Sequence, residues 1–145
     1  MLINTTRFGR IEIDAGEQLH FPAGLLGFEE CRTWVLLADA DNDALGWLQS
    51  TARREIALAV VSPRRFVAGY QLRVAKSELA PLELAELRQA QVLVVVGKSE
   101  TSITLNLKAP LVINLPRRRG RQVIANNDYP VQFELSSSRQ WLKSA

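Results

Sequence analysis

The sequence predicts an all-β protein: a small antiparallel β-barrel of about nine short strands with one short helix near residues 81-89. Three observations support this prediction. Short apolar or alternating segments recur along the 145 residues, turn-forming residues separate them, and a single stretch has the pattern of a helix. A chain of this length is long enough to bury one core, and a barrel leaves few strand edges unpaired.

The first half of the chain contains six strand signals. Gly9 separates the first two, which suggests an opening hairpin, and the Asp-rich stretch ADADNDA forms a turn between the next two. The fifth segment ends before Pro63, and the sixth alternates between apolar and polar residues. The predicted ranges are Leu2–Phe8, Ile11–Ile13, Thr33–Ala38, Gly46–Thr51, Ile56–Val61 and Gly69–Val74.

The second half contains the predicted helix and the remaining strands. Pro81 suits the first turn of a helix, LELAELRQ follows it, and Ser77 is a candidate cap upstream. Pro110 separates two later strands, and the loop PRRRG, which contains Gly120, joins the second of them to the next. The predicted strands are Val92–Gly97, Ile103–Leu107, Leu111–Leu115 and Arg121–Ala125. We expect a single domain over residues 1-135 and a loosely attached C-terminal tail over residues 136-145.

Composition and motifs exclude several classes of function. No apolar run approaches the roughly 20 residues that a membrane span needs, and the N-terminus lacks the apolar segment of a signal peptide. Cys31 is the one cysteine, so neither an internal disulfide nor a cysteine metal cluster can form. We therefore expect a cytoplasmic protein that does not bind a membrane.

The residues needed for catalysis are also missing. His20 is the one histidine, and no nucleophile elbow, C-x-x-C, H-E-x-x-H or Walker loop occurs. The turn Asp39–Asp43 lacks the Gly and the Glu that a calcium loop requires. Glu29 and Glu30, which are close to Cys31, disfavour a reactive thiolate there. We expect no enzyme activity, no cofactor and no bound metal.

The segment HFPAGLLGFEE, residues 20–30, is the most informative part of the chain. Its apolar run is interrupted by Pro22, Gly24 and Gly27, so it should bend sharply rather than continue as a strand. The two aromatic residues, Phe21 and Phe28, are expected to close one end of the barrel. The two leucines, Leu25 and Leu26, either pack inward or remain exposed as an apolar anchor for a partner.

Polar side chains within the apolar strands have three interpretations. Gln49, Asn106 and Asn114 face solvent, face a partner, or are hydrogen-bonded inside the protein. An outward row of amides would suit recognition of a protein partner, but asparagines near strand ends often satisfy backbone groups instead.

Charge is unevenly distributed along a chain with a net charge of +3. Residues 1–45 contain three basic and eight acidic side chains, whereas residues 101–145 contain seven basic and two acidic ones. One interpretation is an acidic face around Glu29, Glu30 and Asp39–Asp43 that attracts a basic partner; the other is ordinary surface charge.

The basic loop has its own alternatives. The four arginines Arg117, Arg118, Arg119 and Arg121 either contact phosphates, contact a protein, or form a solvated turn that protects a hairpin edge. No aromatic residue is interleaved with them as a stacking platform for bases.

Several strings resemble the FliW family when taken in order with residues 20–30. They are RIEID at Arg10–Asp14, WLQS at Trp47–Ser50, LAVVSPRRF at Leu58–Phe66 with Ile56 upstream, TLNLKAPLVIN at Thr104–Asn114 and GRQVIANNDYP at Gly120–Pro130. The resemblance covers most of the first 130 or so residues and is weak between Lys76 and Gln91. It implies a β-barrel with short helices attached.

The resemblance also implies a function. FliW-like proteins bind flagellin before export, and when flagellin leaves they bind CsrA, an RNA-binding repressor of flagellin translation. The expected partners are therefore CsrA and flagellin, bound by a monomer, with no direct contact to nucleic acid. The candidate partner-binding residues are Leu25, Leu26, Glu29, Glu30, Gln49, Asn106 and Asn114. The alternative is a nucleic-acid-binding barrel that uses the loop Arg117–Arg121.

Overall fold

The computed structural model describes residues 1–135, and the predicted tail at residues 136-145 lies outside this described part. A seven-stranded barrel forms the body of the protein, with a separate N-terminal hairpin and a two-stranded extension. Within residues 1–135 the strands are β1 (Leu2–Thr5), β2 (Gly9–Glu12), β3 (Leu19–His20), β4 (Thr33–Ala38), β5 (Leu45–Ser50), β6 (Ala57–Val61), β7 (Gln91–Lys98), β8 (Ile103–Leu105), β9 (Leu111–Asn114), β10 (Arg119–Gln122) and β11 (Phe133–Glu134).

The barrel closes in the order β7–β6–β5–β4–β3–β10–β9 and back to β7. The first part of β7 pairs with β9 through Gln91–Leu93, and its last part pairs with β8 through Val96–Lys98. Every pair is antiparallel except β3–β10, which is parallel and pairs Arg119 with His20. One parallel pair is required because an odd number of strands cannot alternate in direction around a closed ring. The predicted all-β barrel is confirmed, with this one departure from antiparallel pairing.

The hairpin β1–β2 covers the outer face of the barrel. Ile3 and Ile13 are buried against Val35 of β4, and Ile11 and Leu37 pack around them. Strand β4 therefore buries both of its faces, because its alternate residue Trp34 points into the barrel. This explains why Thr33–Ala38 reads as an apolar run rather than as a clean alternation.

The barrel interior is filled by large apolar side chains. Phe21, Trp34 and Leu48 are fully buried there, and each contributes about 1.5–3 kcal/mol by leaving water. The one polar atom of the indole is satisfied, since Trp34 Nε1 donates to the carbonyl of Cys31 at 2.9 Å. Cys31 itself is a buried free thiol packed in this cluster.

The short α-helix lies at Lys76–Leu79 (α1) rather than near residues 81-89. The chain continues as 3₁₀ turns at Ala80–Leu82 and Leu87–Gln89, so the predicted position was wrong. Glu83 has φ +55°, a left-handed conformation that ends the helical path. This break allows Leu82 to bury itself on the outer face of β9 against Val112. Ser77 lies inside α1 and is not its cap.

The predicted strand at Gly69–Val74 is also absent, although Tyr70 and Leu72 do face the core as the alternation indicated. Its backbone donors bond to side chains of a later loop instead of to a strand. Gln71 N–H donates to the hydroxyl of Tyr129, and Arg73 N–H donates to Oδ1 of Asn127. Sequence alone does not reveal these partners, which lie more than fifty positions away.

Gly120 offers a test of how the barrel is closed. A Cβ at this position would overlap the Phe21 ring, which is fully buried in the barrel core. We expect Gly120→Ala to lower the free energy of unfolding by about 1–3 kcal/mol, measured by urea denaturation. Gly16→Ala is the matched control, because no atom lies within 4 Å of a Cβ there. Equal stabilities of the two variants would contradict this packing.

Candidate partner-binding site

The residues 20–30 form a rigid loop that ends in a tight turn. Phe28 N–H donates to the carbonyl of Leu25 at 2.7 Å, and Gly27 has φ +86° at the third position, as a type II turn requires. Gly24 also has a positive φ, of +68°, and a Cβ there would lie 2.5 Å from the carbonyl oxygen of Glu29. Both glycines are therefore needed for the predicted bend. Pro22 is exposed at the start of the loop.

Of the loop's four large apolar side chains, two are buried, one is half-buried and one is exposed. Phe21 and Leu25 belong to the barrel core, and Phe28 is half-buried against it. Leu26, at the tip of the turn, is 61% exposed. The prediction left open whether the two leucines pack inward, and the structure separates them. Leu25, which is 3% exposed, belongs to the core and offers a partner almost no surface.

A glutamine from β10 holds the exposed leucine in place. Leu26 N–H donates to Oε1 of Gln122 at 2.8 Å, and Nε2 of Gln122 donates to the carbonyl of Ala109 at 2.9 Å. The side chain therefore bridges the turn to the barrel wall. An anchor held in this way loses little conformational freedom when it binds.

A groove of about 250 Å³ opens beside Leu26. Its apolar wall includes Phe28, Leu58, Val95 and Val131, and Val131 is itself 57% exposed. Thr104, Asn106, Gln122 and Gln132 supply a polar rim. An exposed apolar anchor beside a groove with a polar rim is typical of a surface that binds a protein. We name this surface the Leu26 groove.

The candidate amides occupy three different environments. Asn106 lies at the Leu26 groove, where its Oδ1 also accepts from Ala109 N–H at 3.0 Å. Gln49 is fully buried, with Nε2 donating to the carbonyls of Ser50 and Arg54. Asn114 is 6% exposed.

Asn114 bonds inside the protein: its Nδ2 donates to the carbonyl of Leu82 at 2.8 Å, and its Oδ1 accepts from Arg117 N–H. The prediction that Gln49 and Asn114 contact a partner is therefore corrected. Both amides satisfy backbone groups of their own chain, which was one of the alternatives.

The predicted acidic face does not exist as one surface. Glu29 and Glu30 are exposed beside the start of β4, whereas Asp39–Asp43 follows its end. Six residues of strand separate the two groups by roughly 20 Å. Asp43 also lies 3.5 Å from Arg65, which partly balances its charge. The acidic charge next to the Leu26 groove thus comes from Glu29 and Glu30.

Asp39 is engaged within its own turn. Trp47 Nε1 donates to its carboxylate at 2.9 Å, and the backbone N–H groups of Asp41 and Asn42 donate to its other oxygen. The hydrogen bond from Trp47 and those from the backbone lower the pKa of Asp39 below its ordinary value.

The arginine loop is bound to α1 and to the segment that follows it. Arg117 pairs with Glu83 at 3.4 Å, Arg121 pairs with Glu78 at 3.1 Å, and Arg119 donates to the carbonyl of Pro81 at 3.2 Å. Arg118, with φ +54°, is at the exposed tip. Through these contacts the loop fastens the segment 78–83 to the barrel, a role that was not among the sequence-based alternatives.

Pro110 and Gly120 have structural roles, as their motifs indicated. Pro110 is buried and its carbonyl accepts Val123 N–H, and Gly120 lies under the Phe21 ring. No sequence pattern indicates a functional role for Gln122 or Val131. Their roles depend on contacts with distant parts of the chain.

No group of three or more metal-ligating side chains lies close enough together to hold an ion within residues 1–135. None of the helices described there has the length and apolarity to cross a membrane.

Comparisons with known proteins agree with the strings that carry the resemblance. The sequence profile of the FliW protein family matches residues 2–135. The chain belongs to the FliW family. Its FliW relatives include a protein named flagellar assembly factor FliW from Natranaerobius thermophilus, 32% identical, with 93% of this chain and 92% of the relative covered. A second relative with the same name, from Bdellovibrio bacteriovorus, is 35% identical, with 97% of this chain and 82% of the relative covered.

A solved structure gives the same result for the fold. The crystal structure of a flagellar assembly factor FliW is similar to this one with a TM-score of 0.86 and 27% sequence identity. The similarity covers 96% of this chain and 99% of that one. The barrel and its loops are therefore those of a FliW protein.

The low pKa of Asp39 leads to a test. Trp47→Phe removes the indole donor, so we expect the pKa of Asp39 to rise toward its ordinary value, measured by NMR titration. Because folding lowers this pKa, the stabilisation is present above the unfolded value and disappears as pH falls through the folded one. Phe8→Leu is the control, since Phe8 contacts the Trp47 ring and leaves the donor in place. An unchanged pKa in Trp47→Phe would contradict the assignment.

Proposed function

We propose that this protein is a cytoplasmic flagellar assembly factor that works by exchanging two protein partners. It binds unsecreted flagellin, and when flagellin is exported it binds CsrA and relieves repression of flagellin mRNA. Membership of the FliW family supports this proposal, because the relatives are named flagellar assembly factors. Binding alone carries the function, with no catalysed reaction and no direct contact to nucleic acid.

The observation that carries the proposal furthest is the preformed Leu26 groove. A rigid turn presents one large apolar side chain beside a polar rim, and Gln122 fixes the turn to the barrel. A few anchor residues contribute most of the binding energy at a protein interface, and Leu26 is placed to be such an anchor. A surface that is already ordered also loses little entropy on binding.

Partner exchange needs the two partners to exclude each other. We propose that flagellin and CsrA both contact the Leu26 groove, so that one monomer holds one partner at a time. Free flagellin then determines by mass action how much of the protein is left for CsrA. The same contact shields an apolar part of flagellin before export, which gives the protein a chaperone-like role.

Charge beside the groove favours a basic partner. Glu29 and Glu30 are exposed next to the Leu26 turn, and CsrA must present positive charge to bind RNA phosphates. Complementary charges raise the rate of association more than they raise the final affinity. We therefore expect the two glutamates to speed the encounter with CsrA.

Leu26→Asp tests the groove directly. The change places a charge where the apolar anchor should be desolvated, so we expect binding of both partners to weaken by at least about 2 kcal/mol, or about thirtyfold in Kd. Isothermal titration calorimetry against purified CsrA and purified flagellin measures this change in Kd. Leu2→Asp is the matched control, because Leu2 is 53% exposed on the separate hairpin.

Thermal unfolding of both variants checks that the barrel is intact, which we expect because neither leucine is buried. If Leu26→Asp binds both partners as tightly as the wild type does, the groove is not their site. If it weakens only one partner, the two do not share a surface and the exclusion mechanism fails.

A further inference from the structure

A second cleft lies on the barrel and shares no lining residue with the Leu26 groove. It has a volume of about 460 Å³ and is bounded by the irregular segment at residues 70–73 and by residues between positions 87 and 92. Neither the predicted site residues nor the proposed exchange mechanism accounts for it. Its walls and floor indicate what kind of molecule it would take.

Three arginines line this cleft, and none of the described residues lining it is acidic. Arg64 Nε donates to the carbonyl of Tyr70 at 3.0 Å, which orients the guanidinium and leaves its outer nitrogens available. Arg88 pairs with Glu86 at the rim. The guanidinium of Arg73 has no hydrogen bond or ion pair within residues 1–135. The cleft therefore offers a carboxylate the outer nitrogens of an oriented guanidinium, that of Arg64, and the unpaired guanidinium of Arg73.

The floor of the cleft is aliphatic. Leu72 and Leu87 are half-buried against the cluster of Leu82, Val112 and Val123, and Val92 closes the floor from β7. Basic walls around an apolar floor match a ligand that combines acidic groups with an apolar side chain. A free inorganic anion would contact the arginines but would leave the aliphatic floor without a partner.

The backbone at the edge of the cleft suits an extended ligand. Gln71 and Arg73 bond to the loop of residues 126–129, with Asn126 N–H donating to the carbonyl of Arg73. Neighbouring residues of an extended chain point their backbone groups to opposite sides. Leu72, which lies between them, has no backbone hydrogen bond within residues 1–135. Its N–H and C=O are free to pair with an added strand.

A nucleic acid fits this cleft less well than a protein does. Tyr70 is the one aromatic residue among the described residues that line it, and it is 2% exposed. Its hydroxyl donates to the carbonyl of Leu107 at 2.9 Å, and its burial raises the pKa of the phenol to about 12. The ring is thus unable to stack on a base, which single-stranded nucleic acids usually require.

We propose that this cleft, which we name the Arg73 cleft, binds an acidic segment of a partner protein in extended form. Carboxylates of the segment contact Arg64, Arg73 and Arg88, an apolar side chain packs on Leu72 and Leu87, and the segment's backbone pairs with Leu72. The inference goes beyond the exchange of CsrA and flagellin, and it stands whether or not either of them uses the cleft.

The test uses a short synthetic peptide in which Glu and Leu alternate, titrated into the intact protein by calorimetry. A peptide with Gln in place of Glu is the control ligand. We expect the Glu peptide to bind at least about tenfold more tightly than the Gln peptide, because charged groups strengthen the hydrogen bonds to arginine. NMR spectra should show the Leu72 amide among those that shift.

Variants of the cleft test whether the peptide binds there. Arg73→Glu combined with Arg88→Glu should weaken the Glu peptide at least about tenfold, and both side chains are exposed, so folding is preserved. Arg10→Glu combined with Arg118→Glu is the control, since it makes the same change of charge at two exposed arginines outside the cleft. An equal loss in this control would mean non-specific attraction and overturn the proposal. Tighter binding of a uridine oligonucleotide, or equal binding of the two peptides, would overturn it too.

Discussion

The contact between Phe21 and Gly120 determines how this barrel closes. Phe21 begins the loop of residues 20–30, and its ring occupies the space that a side chain at position 120 would need. The contact therefore joins the loop to β10, which pairs with β3 through a single residue pair. The parallel pair β3–β10, which an odd-stranded ring requires, is short. The packing of Phe21 on Gly120 adds to its limited backbone pairing. The position of the loop, and hence of Leu26, depends on this contact.

In the proposed function, stability and partner recognition depend on adjacent residues of the same loop. Leu25 is 3% exposed and Leu26 is 61% exposed, so one leucine anchors the turn and the next is presented to solvent. The left-handed Gly27 makes this reversal possible. A barrel core that is fully packed on the inside can hold such a turn without adjusting when a partner arrives.

The sequence predicted the parts of this structure that depend on local pattern. The barrel class, the opening hairpin and the bend at Gly24 and Gly27 all follow from alternation and turn chemistry. The two-residue strands β3 and β11 were missed because so short a segment has no period. The hydrogen bond between Leu26 and Gln122 spans 96 positions, and the split of the acidic residues depends on the direction of β4. Such facts follow from tertiary packing, which no local pattern contains.

The central claim is that two partners compete for one surface, and a displacement experiment tests it most directly. A complex of this protein with fluorescently labelled CsrA would be titrated with flagellin, and the release of CsrA followed by anisotropy. We expect complete release, with a midpoint that rises in proportion to the CsrA concentration, as competition for one site requires. A ternary complex of all three proteins, or release that does not depend on CsrA concentration, would contradict the claim.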